Sequence, residues 1–205
     1  MATTAAHVPA GAADAPSHVR GTIASNTATS LIVRTATGPV TVKLTPKTGY
    51  AGATTGSLSD IKRGGFLGIA SVPAAGGSRA LEVTVFPESM RGRGEGDYPW
   101  DLKPAGQHSA MTNGTVSGAP KSPHSMMTNA TVSHMSSGAT SVVMTYKGGS
   151  RTISIPSNAA VVKVEPGSSK LLAADAHVFV VAKKTAGHLV GAFVVVGENG
   201  AVPPM

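Results

Sequence analysis

No cysteine occurs among the 205 residues. That excludes disulfides, zinc–thiolate sites and a cysteine nucleophile, and it leaves the redox compartment open. Acidic residues are scarce, 10 against 17 Lys and Arg, for a formal charge of +7. Such a balance suits polyanions or an anionic surface, yet the charges are scattered along the chain, as on any soluble basic protein. Charged residues total only 13%, which argues against a disordered charged tail. Aromatics make up 4%, few for a protein that would stack bases on its surface. No run approaches the ~18 apolar residues that span a bilayer. The apolar stretches 178–182 and 189–196 are strand-length. The opening Met-Ala-Thr-Thr-Ala-Ala-His has no basic region followed by an apolar one, so it does not read as a signal peptide.

What the chain does have is 25 Gly, 14 Pro and a duplication. Residues 30–88, moved forward by 111, fall on 141–199 without a gap. Ser30-Leu31-Ile32-Val33 meets Ser141-Val142-Val143-Met144, and Gly56-Ser57 meets Gly167-Ser168. Leu67-Gly68-Ile69-Ala70 meets Val178-Phe179-Val180-Val181, and Val83-Thr84-Val85 meets Val194-Val195-Val196. A fixed period with matching apolar classes marks a duplicated structural unit. Each unit shows five short β-branched segments separated by Gly and Pro turns. In the first unit they are 19–25, 30–35, 40–45, 66–72 and 79–86. In the second they are 128–134, 141–146, 151–155, 176–183 and 189–197. The pattern predicts an all-β fold of two tandem five-stranded OB-like barrels. Closure into barrels disposes of the exposed edges of such short strands. Residues 48–60, rich in Gly, Thr and Ser, are expected to be loop, and 169–174 a single helical turn. The division is 1–17 as an irregular arm, 18–88 as the first barrel, 89–126 as an insert and 127–205 as the second barrel.

The insert holds the only tryptophan, Trp100, and the acids Glu95, Asp97 and Asp101, with Glu88 just before it. A connection this long is usually functional or a linker. Within it Met111-Thr-Asn-Gly-Thr-Val-Ser returns 16 residues later as Met127-Thr-Asn-Ala-Thr-Val-Ser. One copy must open the second barrel. The spacing to Ser141 favours the second copy.

The segments Arg79-Ala-Leu-Glu-Val-Thr-Val-Phe-Pro-Glu, Met90-Arg-Gly-Arg-Gly-Glu-Gly-Asp-Tyr-Pro-Trp-Asp-Leu, Met127-Thr-Asn-Ala-Thr-Val, Tyr146-Lys-Gly-Gly and His177-Val-Phe-Val-Val-Ala carry a resemblance. The chain resembles an uncharacterised group of exported proteobacterial proteins with tandem OB-like domains, some of them labelled "metal ABC transporter permease". The resemblance implies a periplasmic or extracellular setting with a signal peptide removed. It carries over no site residues. The permease label fails on physical grounds, since a helical permease needs several apolar spans and the sequence offers none.

Five constellations could carry chemistry. His108, Met111, His124, Met126, Met127, His134 and Met135 fall within 28 residues. Imidazole and thioether together suit copper, so copper is a possible cofactor, though Met in strands also serves as core filler. The Gly-rich Arg91-Gly-Arg-Gly-Glu-Gly-Asp follows a strand, but Pro99 speaks against the helix that a nucleotide loop must open. Glu95, Asp97 and Asp101 match neither a calcium loop nor a cleft of paired carboxylates, and ion pairing with Arg91, Arg93 and Lys103 is the plain reading. No Gly-x-Ser-x-Gly elbow occurs, and His177 and His188 have no counterpart in the first unit. Phe66, Phe179, Phe193, Tyr50 and Tyr146 could form stacking platforms, but several must fill the core, which sets nucleic acid aside as a partner.

The reading that follows is a non-enzymatic binding or scaffold protein of the bacterial envelope, with no cofactor required. Its site is expected in the crease between the barrels, lined by Arg91, Arg93, Asp97, Trp100 and Asp101, with the Trp100 N–H paired to Asp97 or Asp101. A small ligand or an envelope protein is the expected partner, and self-association through strand edges is a further option. The alternatives are a periplasmic copper-binding protein and an oligonucleotide or oligosaccharide binder.

Overall fold

The computed structural model describes residues 17–117 and 140–203. The fold is all-β: thirteen strands join in one continuous sheet. In chain order the first half supplies β1 (Ser17–Asn26), β2 (Ser30–Thr35), β3 (Gly38–Lys43), β4 (Gly49–Thr55), β5 (Phe66–Ala74) and β6 (Gly77–Phe86). The insert supplies β7 (Gly96–Trp100) and β8 (Ser109–Val116). The second half supplies β9 (Thr140–Tyr146), β10 (Gly149–Ile155), β11 (Ala160–Pro166), β12 (His177–Thr185) and β13 (His188–Gly197). The period of 111 is kept throughout: β4, β5 and β6 shifted by 111 give the bounds of β11, β12 and β13. Even the register shift at Ala70/Ser71 recurs at Val181/Ala182.

Two rings of five strands close. Ring 1 runs β1-β2-β3-β13-β12 and returns to β1, with β3 and β13 parallel through Leu189↔Val42 and every other neighbour antiparallel. Ring 2 runs β8-β9-β10-β6-β5 and returns to β8, with β10 and β6 parallel through Ile153↔Ser78. Each is a small barrel of OB-like strand order. Each also mixes the two halves of the chain. Ring 1 takes three strands from the first half and two from the second, and ring 2 takes two from each half together with β8 from the insert. The boundaries 18–88 and 127–205 therefore delimit the repeated units and not the closed rings.

The exchange is made by β4 and β11, which carry the chain from one ring to the other. They pair antiparallel, with Val164↔Ala53 at the centre and Val162↔Thr55 and Pro166↔Ala51 symmetrically outside it. The 111-residue shift maps this ladder onto itself, so a pseudo-twofold axis passes through the Ala53/Val164 pair. The expectation of loop over 48–60 is corrected here. Its Gly and Ala are small because neighbours crowd them. Ala51 and Ala53 are fully buried, and a Cβ on Gly49 would lie 2.7 Å from the Phe193 ring. Close packing, not chain reversal, is what those residues serve. The helical turn expected in 169–174 is a short 3₁₀ turn, Ser169–Leu171, matched by Leu58–Asp60 in the first half.

The cores repeat as well. Ring 1 encloses Leu31, Val33 and Val42 from the first half with Val178, Val180 and Val194 from the second. Ring 2 encloses Val142, Met144 and Ile153 with Leu67, Ile69 and Val83. A third cluster, Ala51, Ala53, Val162, Val164, Phe179 and Val195, lies at the junction.

The first strand of the second ring is β8, which contains Met111-Thr-Asn-Gly-Thr-Val. The expectation that the second copy, from Met127, would fill this place is corrected; that copy lies outside the described residues. Glycine gives the reason. Thr112 pairs with Ile69 as Val19 pairs with Val180, so Gly114 stands where Gly21 stands in ring 1. A Cβ at Gly21 would sit 1.9 Å from the Arg34 carbonyl oxygen, and one at Gly114 would sit 2.4 Å from that of Thr145. Both slots need a residue without a side chain. The first copy has Gly114, and the second has Ala130.

Candidate ligand-binding site

β7 belongs to neither ring. It extends the sheet beside β8, with Pro99↔Ala110 and Gly96↔Asn113 in register. The turn before it, Arg91-Gly-Arg-Gly-Glu-Gly, places Gly92, Gly94 and Gly96 at φ values of 80°, 60° and 148°. Such positive φ favours glycine, so alternate glycines let the chain curl tightly around Arg93. Residues 91–101 thus form a strap from ring 2 whose tip reaches ring 1.

Trp100, at the end of β7, packs across the junction. Its ring centroid lies 4.3 Å from that of His18 on β1 and 6.3 Å from that of Phe179 on β12. Asp101 then locks the strap. Both of its carboxylate oxygens accept from the Arg20 guanidinium at 2.8 Å, and His18 Nδ1 lies 3.2 Å from Oδ2. The Arg20 guanidinium also sits 5.0 Å from the Phe179 ring centre and 5.7 Å from that of Trp100. Burial pushes the Asp101 carboxyl upward, but Arg20 and His18 more than offset it, so it stays ionised below the usual carboxylate range. Burial also dominates at His18 and holds its pKa below the ordinary imidazole value, against the pull of Asp101. The Asp101 charge is therefore matched mainly by Arg20.

Between strap and rings lies an open pocket of about 1150 Å³. His18, Phe86, Met90, Trp100, Phe179 and Phe193 line it. Tyr98 reaches it from β7, and Met111 and Asn113 from ring 2. Its walls are aromatic and apolar for the most part, with Arg93 and Asp101 as its charged residues. His18 and Met111 occupy equivalent positions in the two rings, so the pocket spans the junction across the pseudo-twofold.

Of the five crease residues expected from sequence, Arg93, Trp100 and Asp101 line this pocket. Arg91 and Asp97 lie off it. Arg91 is held by Glu88 at 2.5 Å, Thr115 Oγ1 and the Gly64 carbonyl at 2.7 Å. Asp97 accepts from Arg151 at 2.5 Å and from Thr112 Oγ1 at 2.7 Å. The expected partner for the Trp100 N–H is corrected. Asp97 and Asp101 are engaged elsewhere, and among the described residues the buried Trp100 Nε1 has no hydrogen-bond partner. Asn113 Oδ1 is a second unpaired buried atom of a pocket residue, while its Nδ2 donates to Tyr98 Oη and the Gly94 carbonyl at 3.0 Å. Unpaired buried polar atoms are rare and each costs about 1–3 kcal/mol. Both belong to residues that line the pocket.

Of the seven candidate metal ligands, two lie in the described residues. His108 is exposed on the loop before β8, and Met111 is buried and faces the pocket. His124, Met126, Met127, His134 and Met135 lie outside the described residues. Among the described residues no three His, Asp or Glu gather as a metal site. No described helix is long and apolar enough to cross a membrane.

The chain matches no family model, no curated protein and no solved structure.

The lining residues that sequence reasoning missed include His18, Phe86, Met90 and Tyr98, while Phe179 and Phe193 were expected as stacking platforms and not in the crease. A signal for these two was present. Phe179 and Phe193 align with Gly68 and Glu82, so they break the apolar matching that the core positions keep.

Proposed function

We propose that this chain is a non-enzymatic binding protein whose small ligand occupies the pocket between the rings. The observation that carries this reading is the pocket itself: some 1150 Å³ of aromatic-walled space at the junction. Ligands are most often held in apolar clefts of this kind, with a few polar groups to orient them. The carboxylates nearby are already spent on structure. Asp101 is engaged by Arg20 and His18, and Asp97 by Arg151 and Thr112. Among the described residues that leaves a wall suited to holding a molecule. The envelope setting belongs to the same proposal and rests on the resemblance carried by the Tyr98-Pro-Trp-Asp segment.

The test is a fragment screen followed by amide and indole NMR shift mapping. Trp100 is the sole tryptophan, so a single indole N–H signal reports on the pocket. Shifts should concentrate on Trp100, Tyr98, Phe179 and Phe193. If every binding fragment instead shifts the outer faces of the rings, or if none binds, the reading fails.

A further inference from the structure

The pocket has a charge preference that its apolar walls conceal. The segment from Glu88 to Asp101 carries four acids and two arginines, and all four acids are committed. Glu88 is paired with Arg91. Glu95 accepts from the Lys147 amide at 3.1 Å. Asp97 is paired with Arg151, and Asp101 with Arg20. Arg91 is committed as well. Arg93 is the exception: among the described residues it has no carboxylate within ion-pair reach. It stands at the pocket with its guanidinium 5.9 Å from the centre of the Phe193 ring.

A guanidinium over an aromatic wall keeps its planar fork of N–H donors free for a carboxylate, sulfonate or phosphate. The one carboxylate on the pocket, Asp101, is neutralised by a bidentate partner, so it repels an incoming anion little. The net charge of +7 favours the same sign of ligand at a distance. Resting on the pocket reading above, we infer that the ligand is a small molecule with a planar apolar body and one anionic group, the body against Trp100, Phe179 and Phe193 and the anion on Arg93.

Calorimetric titration of the full chain with three probes of one shape separates this inference from the pocket reading. The probes are naphthalene-2-sulfonate, 2-naphthylmethanol and 2-naphthylmethylammonium. The sulfonate should bind about fivefold or more tighter than the alcohol, as expected for an exposed ion pair at its upper range, with the ammonium weakest. In Arg93→Gln the contrast should vanish while the affinity for the alcohol stays within about twofold. Arg79→Gln, which removes the same charge from an exposed site away from the pocket, should keep it. Equal binding of all three probes by the native chain overturns the inference and leaves the pocket reading standing. So does a preference that survives Arg93→Gln. If no probe binds, both fall.

Discussion

Ring 1 and ring 2 agree in their interiors and part company at the junction. Inside, Leu31, Val33 and Val42 are matched by Val142, Met144 and Ile153, all fully buried. At the junction, ring 1 presents Phe179 and Phe193 where ring 2 has Gly68 and Glu82. The glycine has its own use. A Cβ at Gly68 would meet Asn113 Oδ1 at 2.5 Å and the Phe86 ring at 2.9 Å, so its bareness admits Phe86 to the junction. Where ring 1 has Arg20, tied to Asp101, ring 2 has Asn113. Duplication supplied two equal skeletons, and divergence at a few outward positions made a pocket with one aromatic side and one strap.

The largest expected effects come from the cores and can break the pairing of halves outright. Leu31→Ala should cost about 2–5 kcal/mol in urea unfolding. Combined with Val178→Ala from the far half, it should depart from additivity by about 0.5 kcal/mol or more, because both lie in ring 1. Combined with Leu67→Ala from its own half, it should add within about 0.5 kcal/mol, because Leu67 lies in ring 2. The opposite pattern would mean that each half closes on itself.

Next come the equivalent glycines. Gly21→Ala and Gly114→Ala should each cost about 1–3 kcal/mol, Gly21 the more, since its slot is tighter. A negligible cost at either position would contradict the register that equates them.

The strap lock is smaller. Arg20 and Asp101 are partly exposed, so Asp101→Ala should cost about 1 kcal/mol or less. It should nevertheless alter the emission of Trp100. Unchanged emission would mean that the lock does not set the indole's surroundings.

The smallest effect is a titration. NMR should find His18 titrating below the ordinary imidazole range, and lower still in Asp101→Asn, because the carboxylate raises it. A folded pKa below the unfolded one means that the unfolded chain binds more protons between the two. Stability from this group is therefore lost as pH falls through that window and is constant below it. Asp101, also lowered, acts in the same direction at more acid pH. A His18 pKa above the unfolded value would reverse the first sign.

Much of this architecture was legible in the residues. The period, the five β-branched segments per unit and the 3₁₀ turn at 169–171 follow from patterns that local physics enforces. The exchange was not legible, because β1 could pair with 67–71 as well as with 178–182. The two candidates match at their inward positions, Leu67 and Ile69 against Val178 and Val180, so core patterning cannot choose between them. The choice lies in the pairing of β4 with β11, and the Gly-Ala composition of β4 looks like loop until the opposite strand is in place. For the site, Trp100 and Asp101 stood out as singular residues in an odd segment. His18 did not, because nothing local to β1 announces a strap arriving from 80 residues away.

The chain's lack of cysteine makes the exchange directly testable. In the exchanged structure Ser17 is the register partner of Ala182, whereas halves closing separately would set it opposite Ser71, the residue 111 earlier. Ser17→Cys with Ala182→Cys, oxidised at low protein concentration, should form an intramolecular disulfide in high yield, and Ser17→Cys with Ser71→Cys should stay reduced. Efficient cross-linking of the second pair, with the first pair left as free thiols, would contradict the account.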